Sequence, residues 1–475
     1  MYKYGIVVIA YKNEDRIKRL LNALSIADYD NNDDVYLIIS IDKSENDKVE
    51  KIADEFKWEY GKKDVVTFPH RLGLRNHVIH CGDYLNTYDL DAIAVFEDDT
   101  LPARGFFYFM EEATEKYINN KDIAGISLYS HWVNNMWQEF VPMMSSYDNY
   151  FMQCAQSWGQ IWFRNQWNEF RIWYEKQGVM DKNYWIPQEV TSWPETSWKK
   201  YHIKYCIENN KYFVYPYVSY TTCFADKGVH TSENTNALQV AISNDVSTSF
   251  MFMELDTDAI KYDAFFENQS LYKFCSVNKD ELLVDLYGNH FETNKRYILT
   301  KKELPYKIIK SWGNRMVPHE MNLLYNIPGD DIILYDLGNI SHSIELPVQA
   351  PRKSKMETYF DILDKWMITE ERGYKVQDYF LKNKWYHIAI YGKGKIGMHL
   401  YNRLKNTEIN VDYFIDKNSD SIENDIDVIN PKEQLPYADV VVITPVMEFE
   451  QIKKNLQHSV IMNFISIDSI FEECL

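Results

Sequence analysis

The sequence predicts an α/β protein of several domains. Apolar runs alternate with amphipathic stretches from Gly5 to Phe96, and a second strand–turn–helix unit lies near the other end. The 475 residues also exceed what one hydrophobic core organises. Taken in order, Gly5–Ala10 reads as a strand, Glu14–Leu24 as a helix, Val35–Ile41 as a strand and Asp47–Phe56 as a helix. Val65–Phe68, the helical Asn76–Leu85 and the strand Ala92–Phe96 continue the alternation. Uninterrupted runs such as GIVVIA and VYLIIS suit strands covered on both faces, so the sheet is expected to be parallel with helical crossovers.

From Tyr129 to Tyr220 the character changes, because nine of the 13 tryptophans fall there. They read either as an aromatic core under long loops or as rings that face a cleft and stack on sugars. Beyond them LLVDLYGNHF, YKIIKSW and DIILYDL are short pieces of mixed type, with no motif assignable to chemistry. Val348–Lys355 reads as a connector before a helix at Thr358–Ile368. The closing unit runs from strand His387–Tyr391 through Gly392-Lys-Gly394-Lys-Ile-Gly397 into helix Met398–Leu404 and strand Val411–Ile415, which ends on Asp416. Strand Val440–Thr444 and a helix at Phe449–Leu456 follow. The expected domains are 1–240, a mixed α+β region 241–380, and a small Rossmann-like α/β domain 381–475.

Composition narrows the function classes. Basic residues number 51 against 70 acidic, a formal charge of −19, which disfavours non-specific attraction to nucleic acid or an anionic membrane. Six scattered cysteines without a C-x-x-C pair suggest neither a zinc site nor a disulfide framework, and a reducing cytoplasm suits them. The N-terminal apolar run of about six residues is too short for a signal segment, and no later stretch approaches the roughly 18 of a membrane span. Membrane contact is expected to be peripheral at most, at the inner face.

The acidic triplet Glu97-Asp98-Asp99 follows the run IAVF directly. In open α/β sheets ligands bind beyond the carboxyl ends of strands, and carboxylates there suit a divalent cation that neutralises a diphosphate. The alternative is an ordinary acidic turn. Ala10-Tyr11 follows the first strand and Asp42 ends the second, where a carboxylate suits a base or ribose. His70, Arg71 and Arg75 add cationic donors at the start of a helix.

Together IVVIAYKNEDRIKRLL, LIISIDKS, HRLGLRNH, FEDDTLPARGFFYFM, SWGQIWF, WPETSW and YPYVSYTTCFADKGVH give the chain a resemblance to GT-A-fold glycosyltransferases. Within that group the N-acetylglucosaminyltransferase I family is the nearer match, over about residues 4–240. The resemblance implies a metal-dependent transfer of sugar from a UDP-sugar to a hydroxyl of a glycan, glycolipid or glycoprotein, with inversion. It implies that Asp42 contacts the uracil or ribose, that His70 lies near the nucleoside, that Glu97 and Asp98 face the donor sugar and ribose, and that Asp99 binds Mn²⁺ or Mg²⁺. His230, in the segment Asp226–His230, is implied to reach the diphosphate or metal, or else makes a local hydrogen bond.

One departure matters. The family carries its catalytic base as an aspartate just after W-P-x-x-x-W, whereas here Lys199-Lys200 stands there. Glu195 is the nearest carboxylate able to take the acceptor proton, with Asp181 and Glu189 as alternatives. The fingerprint Gly392, Gly394 and Gly397, with Asp416 about 20 residues on, fits a pyrophosphate and a ribose hydroxyl. It is similar to the small Rossmann-like module appended to some bacterial sugar-modifying enzymes, and its expected role here is scaffold or homo-oligomer contact, with nucleotide binding as the alternative. Two other functions stay open: an NAD-dependent oxidoreductase working through that module, and a non-catalytic carbohydrate-binding or assembly protein.

Overall fold

The structure is a computed structural model describing residues 2–30, 32, 34–180, 185–224, 236, 238–290, 293–340, 355–417, 426–457 and 463–472. The chain separates into two compact units, 1–344 and 345–475.

In the first unit β1 (Tyr4–Ala10), α1 (Glu14–Ser25), β2 (Tyr36–Ile41), α2 (Lys48–Glu55), β3 (Lys63–Thr67), α3 (Leu74–Thr87) and β4 (Ala92–Glu97) carry out the expected alternation. The strands lie in the order β3-β2-β1-β4, all parallel. β2 and β3 step to one side of β1 and β4 to the other, so a topological switch falls between β1 and β4, with Ile9 opposite Glu97. Asn13 caps α1, its Oδ1 accepting from the backbone N–H of Asp15 and Arg16, both at 3.1 Å.

Next come β5 (Thr100–Pro102), α4 (Phe106–Tyr117), β6 (Ile123–Ser127), β7 (Asn149–Met152), β8 (Gln160–Phe163) and α5 (Arg164–Tyr174). They are followed by α6 (Gln188–Ser192), α7 (Lys199–Glu208), β9 (Tyr212–Pro216), β10 (Thr221–Cys223) and β11 (Lys261–Tyr262). Past β4 the sheet continues β8-β6-β9-β7-β11 to nine strands and becomes mixed. β8 runs antiparallel to β4 and β6, and β7 antiparallel to β9. β5 and β10 form a separate antiparallel ribbon immediately after the acidic triplet.

Apolar cores fill both faces of the large sheet. On one of them Trp162 stacks on Trp167, ring centroids 4.2 Å apart. The close approach of α5 to α3 requires Gly82, where a Cβ would come within 2.0 Å of the Trp167 ring.

A second sheet in the same unit has the order β12-β13-β15-β14, from β12 (Leu282–Asp285), β13 (Tyr297–Thr300), β14 (Tyr306–Trp312) and β15 (Ile332–Ile340). The helices α8 (Tyr272–Cys275) and α9 (Glu320–Leu324) accompany it. The unit boundary differs from the domain limits expected at 240 and 380. β11 pairs with β7 and so ties 261–262 into the large sheet. Val348–Lys355 lies outside the described residues apart from Lys355, where α10 (Lys355–Glu371) begins, earlier than expected.

α10 and α11 (Val376–Lys382) belong to the second unit, because Ile362, Trp366 and Phe380 share its core with Ile388 and Ile390. β16 (His387–Tyr391), α12 (Lys395–Leu404), β17 (Asn410–Ile415), β18 (Val428–Ile429), β19 (Val440–Ile443), α13 (Phe449–Gln457), β20 (Asn463–Ser466) and α14 (Ile467–Glu472) complete it. The sheet order β18-β17-β16-β19-β20, parallel throughout, is that of a doubly wound fold. Five of the cysteines are free and buried, and no described helix is long and apolar enough to cross a membrane.

Beside the second sheet lies a buried acidic cluster with no signature in the sequence. Tyr262 Oη donates to Glu320 Oε1 at 2.9 Å, and the Tyr287 N–H donates to Glu267 Oε1 at 2.7 Å. Glu267 Oε2 and Glu320 Oε2 have no hydrogen-bond partner. Burial pushes the Glu267 carboxyl well above its usual range, and those of Asp263 and Glu320 to about 7. Between the ordinary carboxylate range and neutrality the folded unit therefore keeps protons that the unfolded chain has released. Stability falls as pH rises across that interval, by up to about 1.4 kcal/mol per pH unit for each retained proton. Glu267→Gln removes one such proton, so denaturant titrations at pH 5 and pH 7 should show a smaller loss of stability in the variant than in the wild type.

Candidate functional site

The carboxyl ends of β1, β2 and β4 converge beside the topological switch. From β4, Glu97, Asp98 and Asp99 emerge partly buried. Burial and the Asp99 charge push the Glu97 carboxyl up to about 8 and that of Asp98 to about 7. Asp98 Oδ1 lies 3.7 Å from the Arg16 guanidinium on α1, and the Tyr11 backbone N–H also faces its carboxylate. Trp198 Nε1 approaches Glu97 Oε1 at 3.4 Å.

Asp42 is buried and held by the chain itself. Its Oδ1 accepts from the N–H of Lys43 at 2.9 Å and of Leu72 at 2.8 Å, and its Oδ2 from that of Gly73 at 2.9 Å. Its own N–H reaches the Ala10 carbonyl at 3.0 Å, so the ends of β1 and β2 and the 70–73 loop form one cradle. The Arg71 guanidinium, 4.8 Å from the Tyr11 ring centroid, closes the same cradle. Beneath it Ser40 Oγ is 2.8 Å from His77 Nε2, and burial holds His77 down at about 4, hence neutral. His70 is exposed on this loop.

A cleft of about 370 Å³ opens beside the triplet, within the ordinary size range of small-molecule sites. Glu97, Trp158, Glu189, Trp193, Trp198 and Lys199 are among its walls. Burial lowers the pKa of Lys199, whose Nζ stands 5.5 Å from the ring centroids of both Trp158 and Trp193. The tryptophans thus divide between both expected roles: Trp162 and Trp167 are core, while Trp158 and Trp193 face the cleft.

Glu195 is arranged differently from the role expected of it. Its Oε1 meets Lys200 Nζ at 2.5 Å, and its Oε2 accepts from Tyr201 Oη at 2.8 Å and lies 3.5 Å from Arg75. The hydrogen bond from Lys200 holds this carboxyl below its usual range, which weakens it as a base, and Glu195 is not among the residues lining the cleft. Arg75, expected as a cationic donor at the start of the helix, also donates to the Glu195 carbonyl at 2.9 Å. The alternative Glu189 does line the cleft, whereas Asp181 and His230 lie outside the described residues.

Among the described residues no three His, Cys, Asp or Glu side chains are grouped to hold a metal. Sequence reasoning missed Arg16, His131 and Asn134 as site neighbours: Arg16 lies within IVVIAYKNEDRIKRLL with nothing to single it out, and His131 and Asn134 stand in no motif. Arg16 has one retrospective signal, its place in the first turn of the helix that follows β1.

In the second unit Asp416 Oδ2 accepts from the Lys393 N–H at 2.8 Å. Gly397 packs so tightly under the turn that a Cβ would meet the Gly392 carbonyl oxygen at 2.1 Å. Gly394 precedes the first residue of α12 as its cap.

No protein-family model and no curated protein matches the sequence. Among solved structures the chain is similar to the mannosyltransferase PcManGT from Pyrobaculum calidifontis, in complex with GDP-Man and Mn²⁺. The identity is 12% over 46% of this chain and 57% of that one, with a TM-score of 0.29. It is also similar to S. aureus TarS 1–349 in complex with UDP-GlcNAc, at 14% identity over 48% of this chain and 60% of that one, TM-score 0.32. The chain spans about three fifths of the length of these structures.

The Asp42 carboxylate joins the end of β2 to the 70–73 loop, and removing it leaves backbone donors without acceptors. Asp42→Ala should cost about 1–3 kcal/mol in denaturant unfolding, and hydrogen exchange should accelerate at Leu72 and Gly73 first.

Proposed function

We propose that the protein transfers a sugar from a nucleoside-diphosphate sugar, specifically a UDP-sugar, to a hydroxyl of a glycan, glycolipid or glycoprotein. The first unit is then a GT-A-type domain akin to the N-acetylglucosaminyltransferase I family. The observation that carries this reading is the row of carboxylates at the end of β4, beside the β1–β4 switch and next to a tryptophan-lined cleft. Inversion is the proposed outcome, since one in-line displacement by an acceptor hydroxyl inverts the anomeric carbon.

Asp99 is the proposed ligand of Mn²⁺ or Mg²⁺, with His230 as the second candidate. A hard cation of this kind is held by one or two carboxylates and completes its shell with phosphate oxygens and water, so a preformed set of three protein ligands is not required. Burial raises the Glu97 and Asp98 carboxyls first and the Asp99 charge second, and that concentration of acidic groups around Asp99 fits such a cation. When bound, the ion neutralises charge on the departing diphosphate. Glu97 and Asp98 are proposed to face the sugar and ribose, and Ala10, Tyr11 and His70 to border the nucleoside. Asp42 acts by holding the 70–73 loop, and Arg75 by anchoring the segment that carries Glu195. For the second unit the proposed role is scaffold or self-association, because the Asp416 carboxylate engages its own glycine turn.

Calorimetric titration with UDP and Mn²⁺ tests the assignment. The wild type should bind UDP more tightly with the metal than without it, and Asp99→Ala should abolish that gain, weakening UDP at least 10-fold. If no nucleotide or nucleotide sugar binds with any divalent metal, the transferase reading fails and a carbohydrate-binding role replaces it.

A further inference from the structure

The cleft has a second, smaller chamber of about 160 Å³, and Asn134, Asn135 and Glu189 line both. Glu97 and Lys199 line only the larger one. Phe265, Met136 and Asn289 line only the smaller one, which among the described residues no lysine, arginine or histidine borders.

Resting on the transferase reading, the geometry points to the smaller chamber as the acceptor site for a neutral sugar, with Glu189 between the chambers as the catalytic base. Three observations support this. Aromatic and thioether surface beside the amides of Asn135, whose Nδ2 has no hydrogen-bond partner, and Asn289 matches a sugar ring, which has an apolar face and hydroxyl edges. The volume lies below the usual range for a drug-sized ligand and suits one ring rather than a long glycan. An anionic acceptor would face the Glu189 carboxylate and, among the described residues, no counter-charge in the lining.

Glu189 is also the carboxylate available for the task. It stands on α6, partly buried, and its side chain makes no hydrogen bond or ion pair among the described residues. Glu195 is engaged by Lys200, Tyr201 and Arg75, and Glu97 by Trp198. In the step itself the acceptor oxygen forms a bond to the anomeric carbon while the bond from that carbon to the diphosphate oxygen breaks. The bonding pair leaves with UDP, and the acceptor's hydroxyl proton passes to Glu189.

The experiment measures UDP release from a panel of UDP-sugars with Mn²⁺, in water and with neutral p-nitrophenyl glycosides or the p-nitrophenyl glucuronide. In parallel, UDP affinity is measured for wild type, Glu189→Gln and Met136→Trp. Glu189→Gln should bind UDP as the wild type does and release UDP about 100-fold more slowly or worse, in water and with acceptor alike. Neutral glycosides should accelerate release and the glucuronide should not, and Met136→Trp should raise the KM for the glycoside several-fold while leaving UDP affinity intact. Release by Glu189→Gln within about threefold of wild type, with normal UDP binding, overturns the assignment of the base. Equal stimulation by the glucuronide, or an unchanged glycoside KM in Met136→Trp, overturns the acceptor site. Failure of the wild type to bind UDP is a different result, since it removes the transferase reading itself.

Discussion

Burial of three successive carboxylates at the end of a parallel strand, with their repulsion added to it, is the constraint on which the site of the first unit depends. Parallel strands end together, so β4 delivers Glu97, Asp98 and Asp99 beside the ends of β1 and β2 rather than into open solvent. Burial is the larger cause and the Asp99 charge the second, and together they raise the carboxyls of Glu97 and Asp98 to about 8 and about 7. Arg16 answers Asp98 from α1, and the Asn13 cap fixes where that helix starts. The Lys199 charge acts on Glu97 in the same sense, from a buried setting beside the indole rings of Trp158 and Trp193. Arg16 and Lys199 thus offset part of the negative charge gathered at the strand end.

The cleft wall across from the triplet depends on a different kind of contact. The stretch from Trp193 to Lys199 has no long helix of its own, so side chains hold it. Lys200 Nζ donates to the Trp193 carbonyl at 3.0 Å and to Glu195, while Arg75 on α3 reaches the Glu195 carbonyl. Trp198 then touches both the core ring of Trp162 and the carboxylate of Glu97. Packing at Gly82 and Trp167 sets the distance of α5 from α3, on the same face of the sheet. Geometry at the cleft therefore rests on core aromatics as much as on the polar clasp around Glu195.

How much of this was legible in the sequence follows from periodicity. The strands GIVVIA and VYLIIS and the amphipathic Glu14–Ser25 were readable because local pattern and burial agree there, and the same holds for His387–Tyr391. The antiparallel insertion of β8 between β4 and β6 was not readable, since QIWF has no feature that states its direction. Nor was the division of the tryptophans into core and cleft, which depends on neighbours distant in the chain. The acidic cluster of Asp263, Glu267 and Glu320 was hidden for the opposite reason, because isolated carboxylates in a sequence read as surface residues.

Strand-end aspartates are the most instructive ambiguity, and both units contain one. Asp42 and Asp416 follow buried strands beside a glycine-bearing turn, the place where a ribose hydroxyl would be met. In each case the carboxylate accepts backbone N–H groups from that turn: Leu72 and Gly73 in the first unit, Lys393 in the second. An ionised carboxylate offers about four acceptor positions. Asp42, with three occupied by the chain, has little left for a ligand and shapes the cradle instead. The residue type and spacing are the same for a ligand contact and a loop staple, and only the direction of the neighbouring N–H groups separates them. Sequence motifs at strand ends thus locate a binding region more securely than they assign contacts within it, just as Glu189, one of three carboxylates the sequence offered as base, is set apart from Glu195 only by the shape of the cleft.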